Sequence, residues 1–351
     1  MAKVLMKGNE AIAEAAILAG CRHYFGYPIT PQTEIAAYMA KRMPKIGGVF
    51  LQAESEISAI NMVYGVAGAG LRVMTSSSSP GISLKSEGLS YLAGSDLPAL
   101  VVNVQRGGPG LGGIQPSQSD YFQATRGGGH GDYHMLVYAP ASVQEMADLT
   151  VLGFEKADEY RMTSMILADG TMGQMMEPVE LPSGETRTFP KPWALTGTEC
   201  KRPHNIVNSL FLKPEKLEEE NFKRYERYAK IEETEAMYES YLMEDAEYCV
   251  VAFGIASRVA KNAVNEARAN GMRVGMIRPI TLWPFPKRAF AEAAKTVKAF
   301  LSVELSMGQM IEDIELAIRC ARPVSLCNRA CGMIPTPEEV YAKIEAMVKG
   351  E

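Results

Sequence analysis

The sequence predicts an α/β protein built on doubly wound parallel sheets. Strand-like apolar runs alternate with helical patterns over residues 1–180 and again over residues 246–351. Some runs, such as Ala99–Val104, are dominated by apolar and β-branched residues, which is typical of parallel strands buried on both faces. Residues 181–245 lack the alternation, being first proline-rich and then strongly charged. We therefore predict a first domain at 1–180, a crossover linker with a charged helix at 181–245 and a second domain at 246–351.

In the first domain, apolar periodicity and turn residues define each element. The predicted strands are Lys3–Met6, His23–Gly26, Val49–Gln52, Arg72–Ser76, Ala99–Val104 and Ser164–Ala168. The predicted helices are Asn9–Leu18, Thr33–Met43, Ile57–Ala69, Ile82–Ala93 and Val143–Tyr160. Gly20 is a natural stop for the first helix, and two prolines fix the loop Tyr27–Thr33. A glycine-rich stretch spans Arg106–Gly131.

The second domain repeats the rhythm on a smaller scale. Its predicted strands are Tyr248–Phe253, Arg273–Ile277 and Ala299–Glu304, and its predicted helices are Ser257–Asn270, Lys287–Lys295 and Met310–Ala321. The turn at Gly254-Ile255-Ala256-Ser257 lacks the spacing of a dinucleotide-binding fingerprint. In the linker, Glu215–Tyr241 carries aromatic residues among many charges and predicts an amphipathic helix whose aromatic face packs on a neighbour.

Composition excludes several classes of function. The chain has 36 basic and 41 acidic residues, a formal net charge of −5 and no polybasic stripe, so nucleic-acid binding is not expected. No apolar run reaches the roughly 20 residues that a membrane helix needs. The N-terminus is typical of a strand and a helix and not of a secretory signal. We therefore expect a cytoplasmic protein.

Cysteine and histidine spacing predicts no metal site on this chain. The six cysteines include no C-x-x-C pair, which excludes a CxxCxxC-type iron–sulfur ligand run and a zinc ribbon. Cys320, Cys327 and Cys331 form a loose cluster that is most simply explained as small buried hydrophobic residues in a reducing compartment. The four histidines are too scattered to nominate a metal centre.

Polar residues follow several predicted strands of the first domain at the point where each strand ends. These segments are Tyr27-Pro28-Ile29-Thr30-Pro31, Glu54-Ser55-Glu56, Ser77-Ser78-Ser79-Pro80-Gly81 and Gln105-Arg106-Gly107-Gly108-Pro109-Gly110. Open parallel sheets bind ligands at the carboxyl ends of their strands. Each segment alone has a structural explanation, such as a helix cap or a surface ion pair. Their convergence on one edge predicts a ligand site.

Glu56 is the residue that points most directly to chemistry. It begins a helix with almost no other charge, which we expect to be buried nearly all round. A carboxylate at the mouth of such a helix is poorly solvated and suits a protonatable nitrogen of a ligand.

Five motifs, in order along nearly the whole chain, resemble one known family. They are YPITP, ESEI…INMVYGVAGAG, TSSSSPGISL, VQRGGPG…QSD…GGGHGD and RPITLWPFP. Together they are similar to the alpha subunit of 2-oxoacid:ferredoxin oxidoreductases. The residues of the motifs most resemble those of the branched-chain (2-oxoisovalerate) type. The resemblance implies that the first domain is a thiamine-diphosphate pyrimidine-binding domain. It implies that the second domain resembles the transketolase C-terminal domain.

The resemblance also implies roles for individual residues. Glu56 corresponds to the catalytic carboxylate that binds a ring nitrogen of the cofactor's aminopyrimidine. Tyr27, Pro28 and Ile29 fall at cofactor-binding positions. Thr30 and Arg106 fall at substrate-binding positions, and an arginine fork suits a 2-oxoacid carboxylate because its donors meet both oxygens in one plane. Glu54 is a weaker candidate.

The chain lacks part of what this reaction needs. The nearest match to a diphosphate- and magnesium-binding GDG…N motif is Ala168-Asp169-Gly170, without the first glycine, and no asparagine follows until Asn205. The resemblance therefore implies that a beta subunit supplies the diphosphate and magnesium site. It also implies a gamma subunit and a ferredoxin-like delta subunit with [4Fe–4S] clusters. CoA, ferredoxin and a small 2-oxoacid would be the substrates, and the chain alone would be inactive.

Several alternatives remain open at the level of sequence. The same type of complex could act on 2-oxoglutarate or pyruvate, and Arg22, Lys85, Arg126 and His130 are candidate cations for a second substrate carboxylate. His130 is equally explained as an ordinary loop histidine. Two further hypotheses are a carboligase subunit without clusters and a non-catalytic subunit that kept only the fold. Retention of Glu56, Thr30 and Arg106 argues against the last of these.

Overall fold

The computed structural model describes residues 3–182 and 186–350. The strands are β1 (Val4–Lys7), β2 (His23–Gly26), β3 (Val49–Gln52), β4 (Val73–Ser77), β5 (Leu100–Gln105), β6 (Leu136–Tyr138), β7 (Ser164–Asp169), β8 (Met176–Val179), β9 (Tyr238–Tyr241), β10 (Tyr248–Ala252), β11 (Val274–Pro279), β12 (Thr281–Trp283), β13 (Ala299–Glu304) and β14 (Val324–Asn328). The helices are α1 (Gly8–Leu18), α2 (Thr33–Arg42), α3 (Glu56–Gly68), α4 (Pro80–Gly94), α5 (Tyr121–Thr125), α6 (Val143–Tyr160), α7 (Gly170–Gln174), α8 (Pro214–Thr234), α9 (Gly254–Ala269), α10 (Lys287–Ala293), α11 (Met310–Ala317) and α12 (Pro337–Lys349), with a short 3-10 helix at Met43–Ile46.

The first main sheet has seven strands in the order β12-β6-β7-β5-β4-β2-β3. Neighbouring strands run parallel, except that β12 is antiparallel to β6. The central strand β5 is buried along its whole length, as its β-branched run predicts. The strand predicted at Lys3–Met6 lies one residue later, and it pairs with β8 in a separate antiparallel pair instead of joining this sheet.

The second sheet has the order β14-β13-β10-β11-β9 and is parallel except for the edge strand β9. The predicted elements at 248–321 are present with boundary shifts of a few residues, and β14 and α12 follow them. The charged helix was predicted to continue to Tyr241, but α8 ends at Thr234 and Tyr238–Tyr241 forms β9. Pairing with β11 decides this assignment, because four residues carry little local signal.

The aromatic face predicted for the charged helix is only partly used. Tyr228 of α8 is buried against His134 and Trp283, with ring centroids 5.5 and 5.3 Å away, so this part of the prediction is confirmed. Phe222 and Tyr225 on the same helix are exposed.

The two sheets are joined through side chains as well as through β12. Gln118 donates from Nε2 to the Phe253 carbonyl at 2.8 Å and accepts from the Leu305 amide at 3.0 Å. Arg126 and Tyr121 of the first part both bond Asp313 of α11. These contacts hold the ends of β10 and β13 against the glycine-rich stretch of the first part.

Predictions about cysteine and the chain's division have mixed outcomes. Cys327 is buried as expected, whereas Cys320 and Cys331 are exposed, so the expectation that all three are buried is wrong. The division at 1–180, 181–245 and 246–351 stays a prediction, and residues 1, 2, 183–185 and 351 within it lie outside the described residues. Among the described helices, none combines the length and the apolar character that crossing a membrane requires.

Candidate functional site

The carboxyl edge of the first sheet gathers the residues that the sequence nominated. A hydrogen-bond chain anchors the loop after β2 to the end of β4. The Tyr24 and Ser76 hydroxyls lie 2.7 Å apart, Ser76 donates to Gln32 Oε1 at 2.5 Å, and Gln32 Nε2 donates to the Tyr27 carbonyl at 3.3 Å. The loop at residues 27–30 is therefore held beside the serine run.

Glu56 is the first residue of α3, and its side chain is buried. The helix begins there because the Ser55 hydroxyl accepts the Ser58 amide at 3.2 Å. A Cβ added at Gly81 would lie only 2.6 Å from Glu56 Oε1 and closer still to the Ser77 hydroxyl. The carboxylate therefore lies against the first turn of α4, at the end of the helix that carries partial positive charge.

A set of buried polar atoms surrounds this edge without partners among the described residues. The set comprises Thr75 Oγ1, Ser77 Oγ, Ser78 Oγ and Lys85 Nζ. Buried polar groups are almost always hydrogen-bonded in folded proteins. Four orphaned atoms on β4, on α4 and on the turn between them therefore indicate a place where another group binds.

The helix that Glu56 begins is not buried nearly all round, so that expectation is wrong. Ala59, Ile60 and Val63 are buried, whereas Ile57 and Asn61 on the opposite face are exposed. The uncharged composition of α3 reflects one face that packs on α4 and the sheet, and a second neutral face left uncovered by this chain.

Glu54 does not belong to the buried set. Its side chain is exposed and accepts a hydrogen bond from the Ser58 hydroxyl, which lowers the pKa of the carboxyl. Of the two carboxylates, Glu56 is thus the one that lies near members of the orphaned set, the Ser77 hydroxyl and Lys85.

Arg106 connects the glycine-rich loop to the loop after β2. Its guanidinium is buried and donates from Nη1 to the Thr30 carbonyl and from Nη2 to the Leu111 carbonyl, both at 3.0 Å. Nε has no hydrogen-bond partner among the described residues. The structure therefore brings Thr30 and Arg106 together, with part of the arginine fork left free.

A pocket of about 740 Å³ opens beside Arg106, between the two α/β parts. Its walls include Ser79, Pro80, Leu84, Arg106, Gly107, Gly108, Ser119, Asp120, Leu305, Met307 and Cys331. Sequence reasoning missed Asp120, which accepts from the Ser79 hydroxyl at 2.6 Å and from Asn103 Nδ2 at 2.8 Å. Burial raises the pKa of Asp120. The sequence signal that could have identified Asp120 was its place in the QSD motif after the glycines.

The four candidate cations have different surroundings. Arg22 donates to the carbonyls of Ile17 and Cys21, Arg126 pairs with Asp313, and His130 is exposed. Lys85 is fully buried and is the one of the four that lies beside Glu56.

Asp169, the nearest match to a diphosphate-site aspartate, caps a helix. Its Oδ1 accepts the amides of Thr171 and Met172 at 2.9 and 3.1 Å, and burial raises its pKa to about 6. Within residues 3–182 and 186–350 there is no group of three or more His, Cys, Asp or Glu side chains suited to a metal ion.

Comparison with known proteins decides the family. Residues 14–240 match the family described as pyruvate flavodoxin/ferredoxin oxidoreductase, thiamine diphosphate binding, and residues 246–340 match pyruvate:ferredoxin oxidoreductase core domain II. The chain belongs to this family. It is thus a member of the 2-oxoacid:ferredoxin oxidoreductases, as the motifs indicated, and the predicted enzyme class is confirmed.

Individual relatives cover nearly the full chain. Ketoisovalerate oxidoreductase subunit VorB of Methanothermobacter marburgensis is 52% identical, over 98% of this chain and 97% of the relative. 2-Oxoglutarate synthase subunit KorA of Methanocaldococcus jannaschii is 36% identical, over 95% of this chain and 97% of the relative.

Solved structures support the fold. The chain resembles 2-oxoglutarate:ferredoxin oxidoreductase from Magnetococcus marinus with a TM-score of 0.86 and 28% identity, and it spans 65% of that longer chain. A split-gene transketolase, at a TM-score of 0.63 and 13% identity over 98% of both chains, shares the fold. The predicted thiamine-diphosphate-type α/β fold class is therefore confirmed.

Proposed function

We propose that this chain is the alpha subunit of a complex that oxidatively decarboxylates a branched-chain 2-oxoacid, 2-oxoisovalerate. In this reaction the carboxyl carbon leaves as CO2, the acyl group is transferred to the thiol of CoA, and two electrons pass to ferredoxin. The observation that carries the proposal is the buried Glu56 carboxylate, which faces orphaned polar atoms at the carboxyl edge of the first sheet. The 52% identity to a ketoisovalerate oxidoreductase subunit supports the substrate.

The site suits the pyrimidine half of thiamine diphosphate. A buried carboxylate near hydroxyl and ammonium groups that lack partners among the described residues matches a ring that bears several nitrogens. When bound, the cofactor supplies an acidic carbon that becomes the nucleophile and an electron sink for decarboxylation. Glu56 and the loop Tyr27, Pro28 and Ile29 are the residues of this chain that would hold it.

Glu56 acts by holding a proton at a ring nitrogen. The carboxylate is fixed against the first turn of α4, so Glu56 can accept a hydrogen bond from the nitrogen that it contacts and hold a proton there. Burial strengthens this interaction, because little water competes for the carboxylate.

Gly81 is required for Glu56 to occupy this position. We expect Gly81→Ala to lower the turnover of the assembled complex about 10- to 100-fold, because the new methyl group must displace Glu56 Oε1, and a misplacement of about 1 Å can cost that much. The measurement is CoA-dependent reduction of a viologen dye. Gly68→Ala, on the buried face of α3, is the control for folding, since a Cβ there would meet only Leu195 Cδ1, at an ordinary contact distance of 3.7 Å. Unchanged kinetics of the Gly81 variant would contradict the role of Glu56.

Arg106 and Thr30 would hold the substrate carboxylate. Two of the guanidinium donors are occupied by loop carbonyls, which fix the plane of the group, and Nε remains to donate to an anion. The neighbouring pocket wall includes the apolar side chains of Leu84 and Met307. These suit a branched aliphatic side chain better than a second carboxylate.

Partner subunits would complete the reaction. Because Asp169 is used as a helix cap, we assign the diphosphate and magnesium site to a beta subunit. The gamma subunit and a ferredoxin-like delta subunit with [4Fe–4S] clusters would complete the path to ferredoxin. The exposed neutral face of α3, at Ile57 and Asn61, is the proposed contact with the beta subunit.

The decisive experiment measures substrate preference of the purified complex. We expect kcat/KM for CoA-dependent dye reduction to be highest with 2-oxoisovalerate among 2-oxoisovalerate, pyruvate and 2-oxoglutarate. A preference for 2-oxoglutarate would overturn the substrate assignment. Iron and acid-labile sulfide in the same preparation distinguish the oxidoreductase from a carboligase, which would contain neither.

The isolated chain should bind thiamine diphosphate weakly or not at all. The reason is that this chain provides pyrimidine-side groups, whereas the diphosphate side is assigned to the partner. Isothermal titration of the separately expressed chain with thiamine diphosphate and magnesium checks this, and the intact apo-complex is the positive control. Micromolar binding by a monomer of the chain would contradict the division of the site.

A further inference from the structure

Lys85 lies in the interface between α3 and α4. Gly81, Lys85 and Gly88 follow one another at helical spacing on α4, and all three are buried. Gly81 abuts Glu56, and a Cβ added at Gly88 would lie 2.5 Å from Ile60 Cγ2, one turn further along α3. Lys85 therefore enters the interface between these two close approaches of α4 to α3.

The surroundings of Lys85 are costly for a lysine. The side chain has no exposed surface, and Nζ has no hydrogen-bond partner among the described residues. Burial lowers the pKa of Lys85 to about 8, and the negative charge of Glu56 opposes that shift. A methionine or leucine would fill the same space without the desolvation cost of an ammonium group. Packing alone therefore does not explain a lysine here.

Glu56 is the counter-charge available to Lys85. Of the other acids near this end of α3 and α4, Glu54 is exposed and bonded to Ser58, and Asp120 is bonded to Ser79 and Asn103. Glu87, on α4 itself, accepts from the Tyr91 hydroxyl. The orphaned side-chain atoms on and just after β4 are hydroxyl groups, which carry no charge. Among these acids, Glu56 is thus the one that can balance the charge of Lys85, and it is also the carboxylate that the proposed function uses.

We propose that Lys85 is a positioning residue for Glu56: its ammonium group is the internal counter-charge that keeps the buried carboxylate ionised, without occupying it through a direct hydrogen bond. Glu56 is then charged and oriented, yet its oxygens stay free for an incoming ring nitrogen. The catalytic consequence rests on the proposed function, whereas the charge pair itself does not.

A double-mutant cycle on the cofactor-free complex tests the pair. The variants are Lys85→Met, Glu56→Gln and the double variant, with Lys41→Met, an exposed lysine on α2, as the control. We expect Glu56→Gln alone to lower the unfolding midpoint by about 2–4 °C, because it leaves the ammonium unpaired, and the double variant to recover most of that loss. Strict additivity of the two single changes would overturn the proposal and leave the proposed function intact.

Two further readouts separate the pair from a structural role. The loss of thermal stability caused by Glu56→Gln should become smaller as the pH rises from 7 to 9, because Lys85 becomes neutral and then needs no counter-charge. This test needs no lysine variant. A loss that does not change with pH would overturn the proposed charge pair. In the loaded complex, Lys85→Met should lower kcat about 10-fold or more and move the acid limb of the pH profile to higher pH. If Lys85→Met lowers kcat but leaves the acid limb of the pH profile unchanged, the proposal is overturned. Full turnover by the Glu56→Gln complex would instead reject the proposed function.

Discussion

Glu56→Gln is expected to slow turnover of the assembled complex by about 10²–10⁴-fold, the usual cost of losing an acid–base group. The amide keeps the shape of the side chain and can still hydrogen-bond, but it cannot hold a proton at the ring nitrogen. Single-turnover and steady-state dye reduction with 2-oxoisovalerate measure the loss. Subunit stoichiometry after gel filtration should be unchanged, because Glu56 is buried within the chain and is not part of the exposed face of α3.

Glu54→Gln is the matched control, since Glu54 lies two residues away and is exposed. It should leave turnover close to that of the parent complex. Turnover near the parent value for Glu56→Gln would support a non-catalytic subunit, and a large loss for Glu54→Gln would move the role to that residue.

Arg106→Lys is expected to weaken substrate use about 10- to 150-fold, the equivalent of one charge-assisted hydrogen bond of about 1.5–3 kcal/mol. A lysine keeps the charge but offers a point donor, so it cannot bridge the Thr30 and Leu111 carbonyls and also meet a carboxylate in one plane. The substrate KM and the content of thiamine diphosphate are measured on the same preparation. The KM should rise while the cofactor content stays constant.

The structure also defines the competing result for this variant. Because Arg106 already bonds two loop carbonyls, its main role could be to brace the glycine-rich loop. In that case cofactor content would fall together with activity, and the carboxylate role should be dropped. Arg126→Lys is the control, because Arg126 is exposed and pairs with Asp313 of α11 instead of bonding the carbonyls of Thr30 and Leu111.

The sequence predicted the edge of the site because parallel strands place their carboxyl ends together. Glu56, Thr30 and Arg106 each follow a strand whose apolar run is clear, and the structure brings Thr30 and Arg106 into contact. The roles of these residues stay predictions. The spacing of residues alone does not show which faces of two helices pack against each other. Lys85 was therefore only one of four candidate cations, and α3 was assigned too much burial.

Most elements that were not predicted from the sequence are short and depend on distant partners; the exception is α12, which has 13 residues. β9, β12 and β6 have three or four residues each and occur where pairing, not local propensity, selects the extended conformation. Asp120 was missed for a related reason, since its contacts with Ser79 and Asn103 come from separate segments of the chain.

The pairing of β12 with β6 has a consequence for biosynthesis. Thr281 and Trp283 supply an edge strand to a sheet whose other strands all lie before residue 170. The sheet therefore lacks its last strand while the ribosome is synthesising the linker. The outer edge of β6 stays unpaired until Trp283 has left the exit tunnel. An unpaired edge is a template for association with other chains. We therefore expect the nascent first part to be prone to association until the second part covers this edge.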